Sequence, residues 1–90
     1  MTQREQHLVQ AILEAAHEGD GAQFTEAQIH MAAGLQLQAR ARLAPTLLEF
    51  NGALKICADR GWLNGVPSRL NPNLRKWNLT DAGEAARLEF

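Results

Sequence analysis

Apolar side chains near the start of the chain recur at spacings of three and four, placing Leu8, Val9, Ile12, Leu13 and Ala16 on one stripe of a helix. Thr2-Gln3-Arg4-Glu5 ahead of them has the form of a capping box, in which the threonine hydroxyl accepts the third amide N–H and the glutamate carboxylate accepts the threonine N–H. Gly19 and Asp20-Gly21 break the pattern, so a helix is predicted over 3–18. Thr25 and Gln28 form a second capping box, with Phe24 before the cap and Ile29 placed to close a hydrophobic staple. Ala27, Met31 and Ala32 continue that helix, and Gly34 suits a left-handed C-terminal cap, predicting a short helix of about eight residues.

Residues 35–44 alternate apolar and polar as a strand would, yet Gln, Ala, Arg and Leu are good helix formers. Propensity is preferred here, predicting a helix ended or kinked at Pro45. The next helix is predicted from Pro45, a favoured first position, through Arg60, with Gly61 as its stop. With Leu54 set on the core and a turn of about 100° per residue, Leu47, Phe50, Asn51, Leu54, Cys57 and Ala58 face inward. Leu48, Glu49, Gly52, Ile56, Asp59 and Arg60 then face outward.

Trp62-Leu63 opens an extended run, residues 64–73 are dense in turn formers, and residues 75–79 alternate again with Trp77 and Leu79 on one side. That pattern predicts a hairpin with a long polar tip. Thr80 caps a last helix over 81–88, with Asp81 and Glu84 near the positive end of its dipole. The elements together predict a mainly α protein with a small β-hairpin (α+β), with about four to five helices and two to three strands, in one domain over 1–90.

Ninety residues at 46% hydrophobic and 21% charged can build one small core and leave no room for a second domain. No run reaches the roughly 18 apolar residues of a membrane span, and residues 1–6 lack the apolar stretch of a signal peptide, so a cytoplasmic protein is expected. Cys57 has no second cysteine to pair with, and His7, His17 and His30 have no partners at metal-site spacing, so neither a disulfide nor a metal scaffold is expected. No phosphate-cradling glycine loop, nucleophile elbow or rigidly placed carboxylate couplet is present, so neither catalysis nor a cofactor is expected. His17 with Asp20 is read as a surface histidine near a helix end, and Cys57 as an inert core thiol.

The net charge of −1 argues against a strong polyanion binder until it is divided along the chain. Residues 1–34 carry one base against five acids, residues 35–78 carry seven bases against two acids, and residues 79–90 return to a small acidic excess. The central excess of positive charge suits either an anionic partner or an ordinary solvated surface.

The order of helix, extended bit at Phe24, helix, longer helix ending in Asp59-Arg60-Gly61-Trp62-Leu63, hairpin and capped helix resembles a winged helix-turn-helix domain. Leu54-Lys55-Ile56-Cys57-Ala58-Asp59-Arg60-Gly61-Trp62-Leu63 is similar to the end of that superfamily's recognition helix. Trp77-Asn78-Leu79-Thr80-Asp81-Ala82-Gly83 is similar to the stretch after the wing in small bacterial repressors of the multiple-antibiotic-resistance type. The resemblance implies a transcriptional regulator binding duplex DNA, with the helix from Pro45 in the major groove and the hairpin tip over 68–76 on phosphates or the minor groove. Arg40, Arg42, Lys55, Arg69, Arg75 and Lys76 would then hold the duplex, and Thr46 or Glu49 would read bases. About eighteen residues, 36–53, separate the predicted end of the second helix from Leu54, which departs from the superfamily's pattern.

Leu48, Gly52 and Ile56 form an outward apolar strip that could instead accept another helix, either from segment 35–44 or from a homodimer or other protein partner. The alternative function is therefore a protein-interaction module without DNA binding. Ser68, Asn71 and Asn73 are read as turn formers, and Trp62 and Trp77 as core anchors.

Overall fold

The computed structural model describes residues 1–19, 22–71 and 74–90. Its elements run α1 (Gln3–Glu18), β1 (Phe24–Thr25), α2 (Glu26–Ala39), α3 (Leu47–Asp59), β2 (Leu63–Pro67), β3 (Arg75–Leu79) and α4 (Asp81–Glu89). The three strands form one antiparallel sheet in the order β1-β3-β2, with Trp77 opposite Phe24 on one side and Gly65 on the other. Four helices with a small three-stranded wing match the α+β winged-helix arrangement expected from the sequence.

α1 is the centre of the packing. Both capping-box hydrogen bonds at Thr2 and Glu5 are present, and the helix buries Leu8, Val9, Ala11, Ile12, Leu13, Ala15 and Ala16. It packs against α2, α3, α4 and β3. Phe50, Ala53, Leu54 and Cys57 of α3, Ile29, Ala33 and Leu37 of α2, Leu63 and Trp77 of the sheet, and Ala86 of α4 complete the core. Thr25 and Gln28 cap α2 as expected.

α2 does not end at Gly34. It continues to Ala39 because Ile29, Ala33 and Leu37 recur every fourth residue and are all buried, so the core holds the helix past the glycine. The strand-like alternation over 35–44 therefore carries two different structures: 35–39 finish the helix, and 40–46 connect it to α3. The helix closes with the Ala41 N–H on the Gln38 carbonyl and the Arg42 N–H on the Leu37 carbonyl, a Schellman closure. Ala41 takes the left-handed φ of 56° that this closure requires, a position normally given to glycine.

α3 begins at Leu47 rather than at Pro45. A third capping box overrides the proline: the Thr46 hydroxyl accepts the Glu49 N–H at 3.2 Å, and the Glu49 carboxylate accepts the Thr46 N–H at 3.1 Å. Phe50, Ala53, Leu54 and Cys57 face the core, while Leu47 is 65% exposed and Asn51 is exposed, contrary to the inward positions expected from the helical period. The first turn of α3 overhangs the core, so the period cannot place its side chains. Ile56, expected outward, is half-buried and packs against the core.

Gly61, at φ 72°, turns the chain from α3 into β2. α4 is anchored at that turn: the Thr80 hydroxyl donates to the Gly61 carbonyl at 2.6 Å and accepts the Gly83 N–H at 3.0 Å. Gly83 is required there, since a Cβ on it would run into the Trp62 carbonyl and the Leu79 side chain. At the other side of α4, Arg87 bonds Glu84 at 2.7 Å and reaches Glu14 of α1 at 3.4 Å, while His17 Nδ1 lies 2.8 Å from Glu84. His17 is a surface histidine near the end of α1 as expected, and it faces Glu84 of α4, while Asp20 lies outside the described residues.

Two substitutions check this account by chemical denaturation. Gly83→Ala is expected to destabilise the protein by about 1–3 kcal/mol, because the added methyl meets backbone that cannot yield. Ala41→Gly is expected to stabilise it by about 1 kcal/mol, because it removes the left-handed strain of a residue with a Cβ.

Candidate nucleic-acid interface

α3 presents Leu48, Asn51, Gly52, Lys55 and Asp59 outward, a stripe generated by the burial of the opposite one. Along β3 the side chains alternate, so Arg75 shares the face of Trp77 and turns toward α3, while Lys76 points to the other side of the sheet. Between α3 and β3 lies a groove of about 380 Å³ lined by Asn51, Leu54, Lys55, Ala58, Arg75 and Trp77, with Glu26 at the start of α2. Lys55 pairs with Asp59 at 3.5 Å, but both side chains are largely exposed, and such a pair restrains the ammonium little. The buried Trp77 indole, a core anchor as expected, has no hydrogen-bond partner for its Nε1 among the described residues.

The wing tip is closed by the Ser68 N–H on the Leu74 carbonyl. Arg69 is exposed there, while Pro72 and Asn73 lie outside the described residues. Arg60, at the end of α3, lies over the Trp62 ring at 5.3 Å from its centroid.

The other basic residues lie elsewhere. Arg40 is the exposed C-cap of α2. Arg42 is half-buried in a separate hollow with Arg4, His7, Leu43, Ala44, Thr46 and Glu49. In that hollow Arg4 Nε donates to Glu49 at 3.0 Å, and its Nη1 donates to the Leu43 carbonyl at 3.1 Å. The Arg4 guanidinium, and then the Thr46 backbone N–H, hold the Glu49 carboxyl down at about 2. Thr46 and Glu49, considered above as base readers, are thus both engaged in starting α3 and fixing it to α1. The strip of Leu48, Gly52 and Ile56 is divided: Leu48 is 83% exposed, Gly52 is open, and Ile56 belongs to the core margin.

Asn51 and Arg4 are the residues that the sequence pattern missed. Asn51 becomes visible if the frame of α3 is set by Phe50, Ala53, Leu54 and Cys57 together rather than by Leu54 alone. Arg4 had no local signal, because its partner is 45 residues away. Burial raises the Cys57 thiol to about 12, consistent with the inert core thiol expected. Among the described residues no group of three metal-ligating side chains occurs, and no helix is long and apolar enough to cross a membrane.

The helical pair α2 and α3, the sheet that follows and the groove between them resemble a winged-helix-type module. No family model matches the chain, and no curated protein is significantly similar to it.

The Arg4 and Glu49 contact predicts an acid-sensitive stability. A carboxyl lowered on folding stabilises the folded state above its unfolded value of 4.5, and that contribution is lost as pH falls from there through about 2. Urea denaturation followed across this range should show a steeper loss of stability for the wild type than for Glu49→Gln, with the two converging at the acid end.

Proposed function

We propose that this winged-helix protein binds duplex DNA as a non-enzymatic transcriptional regulator of the kind that the multiple-antibiotic-resistance-type repressors represent. The observation that carries this reading is the convergence of Asn51, Lys55 and Arg75 on one groove between α3 and the wing. Lys55 and Arg75 supply charge for phosphates from two different elements, and Asn51 offers the amide that pairs with adenine N6 and N7 in the major groove. Arg69 extends the contact to the wing tip, whereas Thr46 and Glu49 position α3 instead of reading bases. Arg40, Arg42 and Lys76 lie off this groove.

So few cations make the binding weak and salt-sensitive. Fluorescence anisotropy with a random duplex at low salt is expected to show micromolar binding, with log K falling against log salt at a slope of about −3 for roughly three phosphate contacts. Lys55→Ala and Arg75→Ala should each reduce that slope by about 1, while Asn51→Ala should leave random-sequence binding intact and relax sequence preference. Absence of binding at ~10 μM protein in low salt overturns the proposal.

The exposure of Leu43, Leu47 and Leu48 at the entrance to α3 favours a second reading, a protein partner seated on that end of the helix. Leu48→Lys separates the two: an added cation strengthens binding to phosphate but disrupts an apolar contact.

A further inference from the structure

α2 exposes large apolar side chains between uncharged polar ones, Gln28 and Gln38. Its inner face, Ile29, Ala33 and Leu37, is buried in the core, yet its outer face carries Met31 at 71% exposure and Leu35 at 62%. From Ala27 to Ala39 the helix contains no Asp, Glu, Lys or Arg, in contrast to the outward stripe of α3 with Lys55 and Asp59. Depletion of charge with enrichment of methionine and large apolar groups is the composition of an interface centre rather than of a solvated helix face.

The outer face also has relief. Ala27, Met31, Gly34 and Gln38 follow one another at spacings of four, three and four, the seam along which two helices interlock. Met31 and Leu35 protrude beside a recess of about 400 Å³, whose floor is Gly34 and whose far wall is Ala44 and Pro45. A protrusion and a matching recess on one surface are what a two-fold contact requires, since each copy must supply both.

Charge sets the direction. α2 opens on Glu26 and is followed by Arg40 and Arg42. Parallel pairing would place like charges together at both ends. Antiparallel pairing brings the acidic end of each copy to the basic end of the other and opposes the helix dipoles favourably.

We propose that the occupant of this groove is a second copy of the chain, and that the protein dimerises through antiparallel packing of α2 on α2. The two-fold axis crosses the helix pair midway between Met31 and Leu35, with Met31 of each copy over Gly34 and beside Leu35 of the other. The apolar centre of this interface, Met31, Gly34 and Leu35, lies outside the groove that contains Asn51, Lys55 and Arg75, which it meets only at Glu26, and it stands whether or not the protein binds DNA.

Sedimentation equilibrium of the full chain tests it, using substitutions at exposed positions that the fold does not need. The wild type is expected to self-associate to a dimer, and Met31→Glu and Leu35→Lys should each weaken the dimer by ~30-fold or more. An equimolar mixture of the two variants should recover association, because the antiparallel register sets Glu against Lys across the axis. Leu70→Glu, at the wing tip, should leave the dimer unchanged. A monomeric wild type at ~100 μM, a dimer indifferent to Met31→Glu, or single variants that do not recover on mixing each overturn the proposal.

Discussion

The three other helices and the central strand β3 are placed by the need to bury α1. Seven residues of that helix are buried, covering more than the narrow stripe that its three-and-four spacing displays, so one neighbour cannot cover it. α2, α3, α4 and β3 each take part of its surface. Burial of each large aliphatic side chain contributes about 1.5–3 kcal/mol, which makes these contacts the main stabilising force in so small a core. The wing then follows from α3: once Phe50 and Leu54 are packed against α1, Gly61 returns the chain alongside, and Trp77 seals the open edge between sheet and helices.

Within that frame α3 is aimed by polar contacts. Thr46 and Glu49 satisfy each other's backbone N–H groups at its start, and Arg4 ties the same carboxylate to α1 while bonding the connecting loop at Leu43. The consequence for function is a division of labour. The side chains at the entrance of α3 hold it in place, and those one and two turns later, Asn51 and Lys55, are left to face the groove that Arg75 completes from β3. A helix whose two ends are held, by Arg4 at the start and by Gly61 at the finish, presents that middle stretch in a defined orientation. The net charge of the chain conceals this local arrangement, because the acidic residues are gathered mainly before α2 and after β3.

Most of the element order was legible in the sequence, since it rests on local interactions. The capping boxes at Thr2 and Thr25, the stripe from Leu8 to Ala16 and the stop at Gly61 each involve residues within a turn or two of one another. The third capping box, at Thr46, was equally local, but the preference of proline for a first helical position concealed it. The end of α2 was not legible. Gly34 offers a good local stop, and only the buried partners of Leu37 show why the helix passes it. The candidate site was legible in its residue types but not in its grouping. Lys55 and Arg75 line one groove, whereas Lys76, one residue on, turns away, and Arg42 lies with Arg4 in a different hollow.

The sequence by itself determined where α1, α2 and α4 start, which stripe of α1 enters the core and that the centre of the chain is basic. These depend on period, capping chemistry and composition, all of which act over a few residues. Tertiary structure alone decided that α2 outlasts its glycine, that Glu49 serves Arg4, and that Met31 and Leu35 of α2 are left exposed. Each of those outcomes is set by what lies across the fold from the residue, and a partner dozens of positions distant leaves no trace in the residue's own neighbourhood.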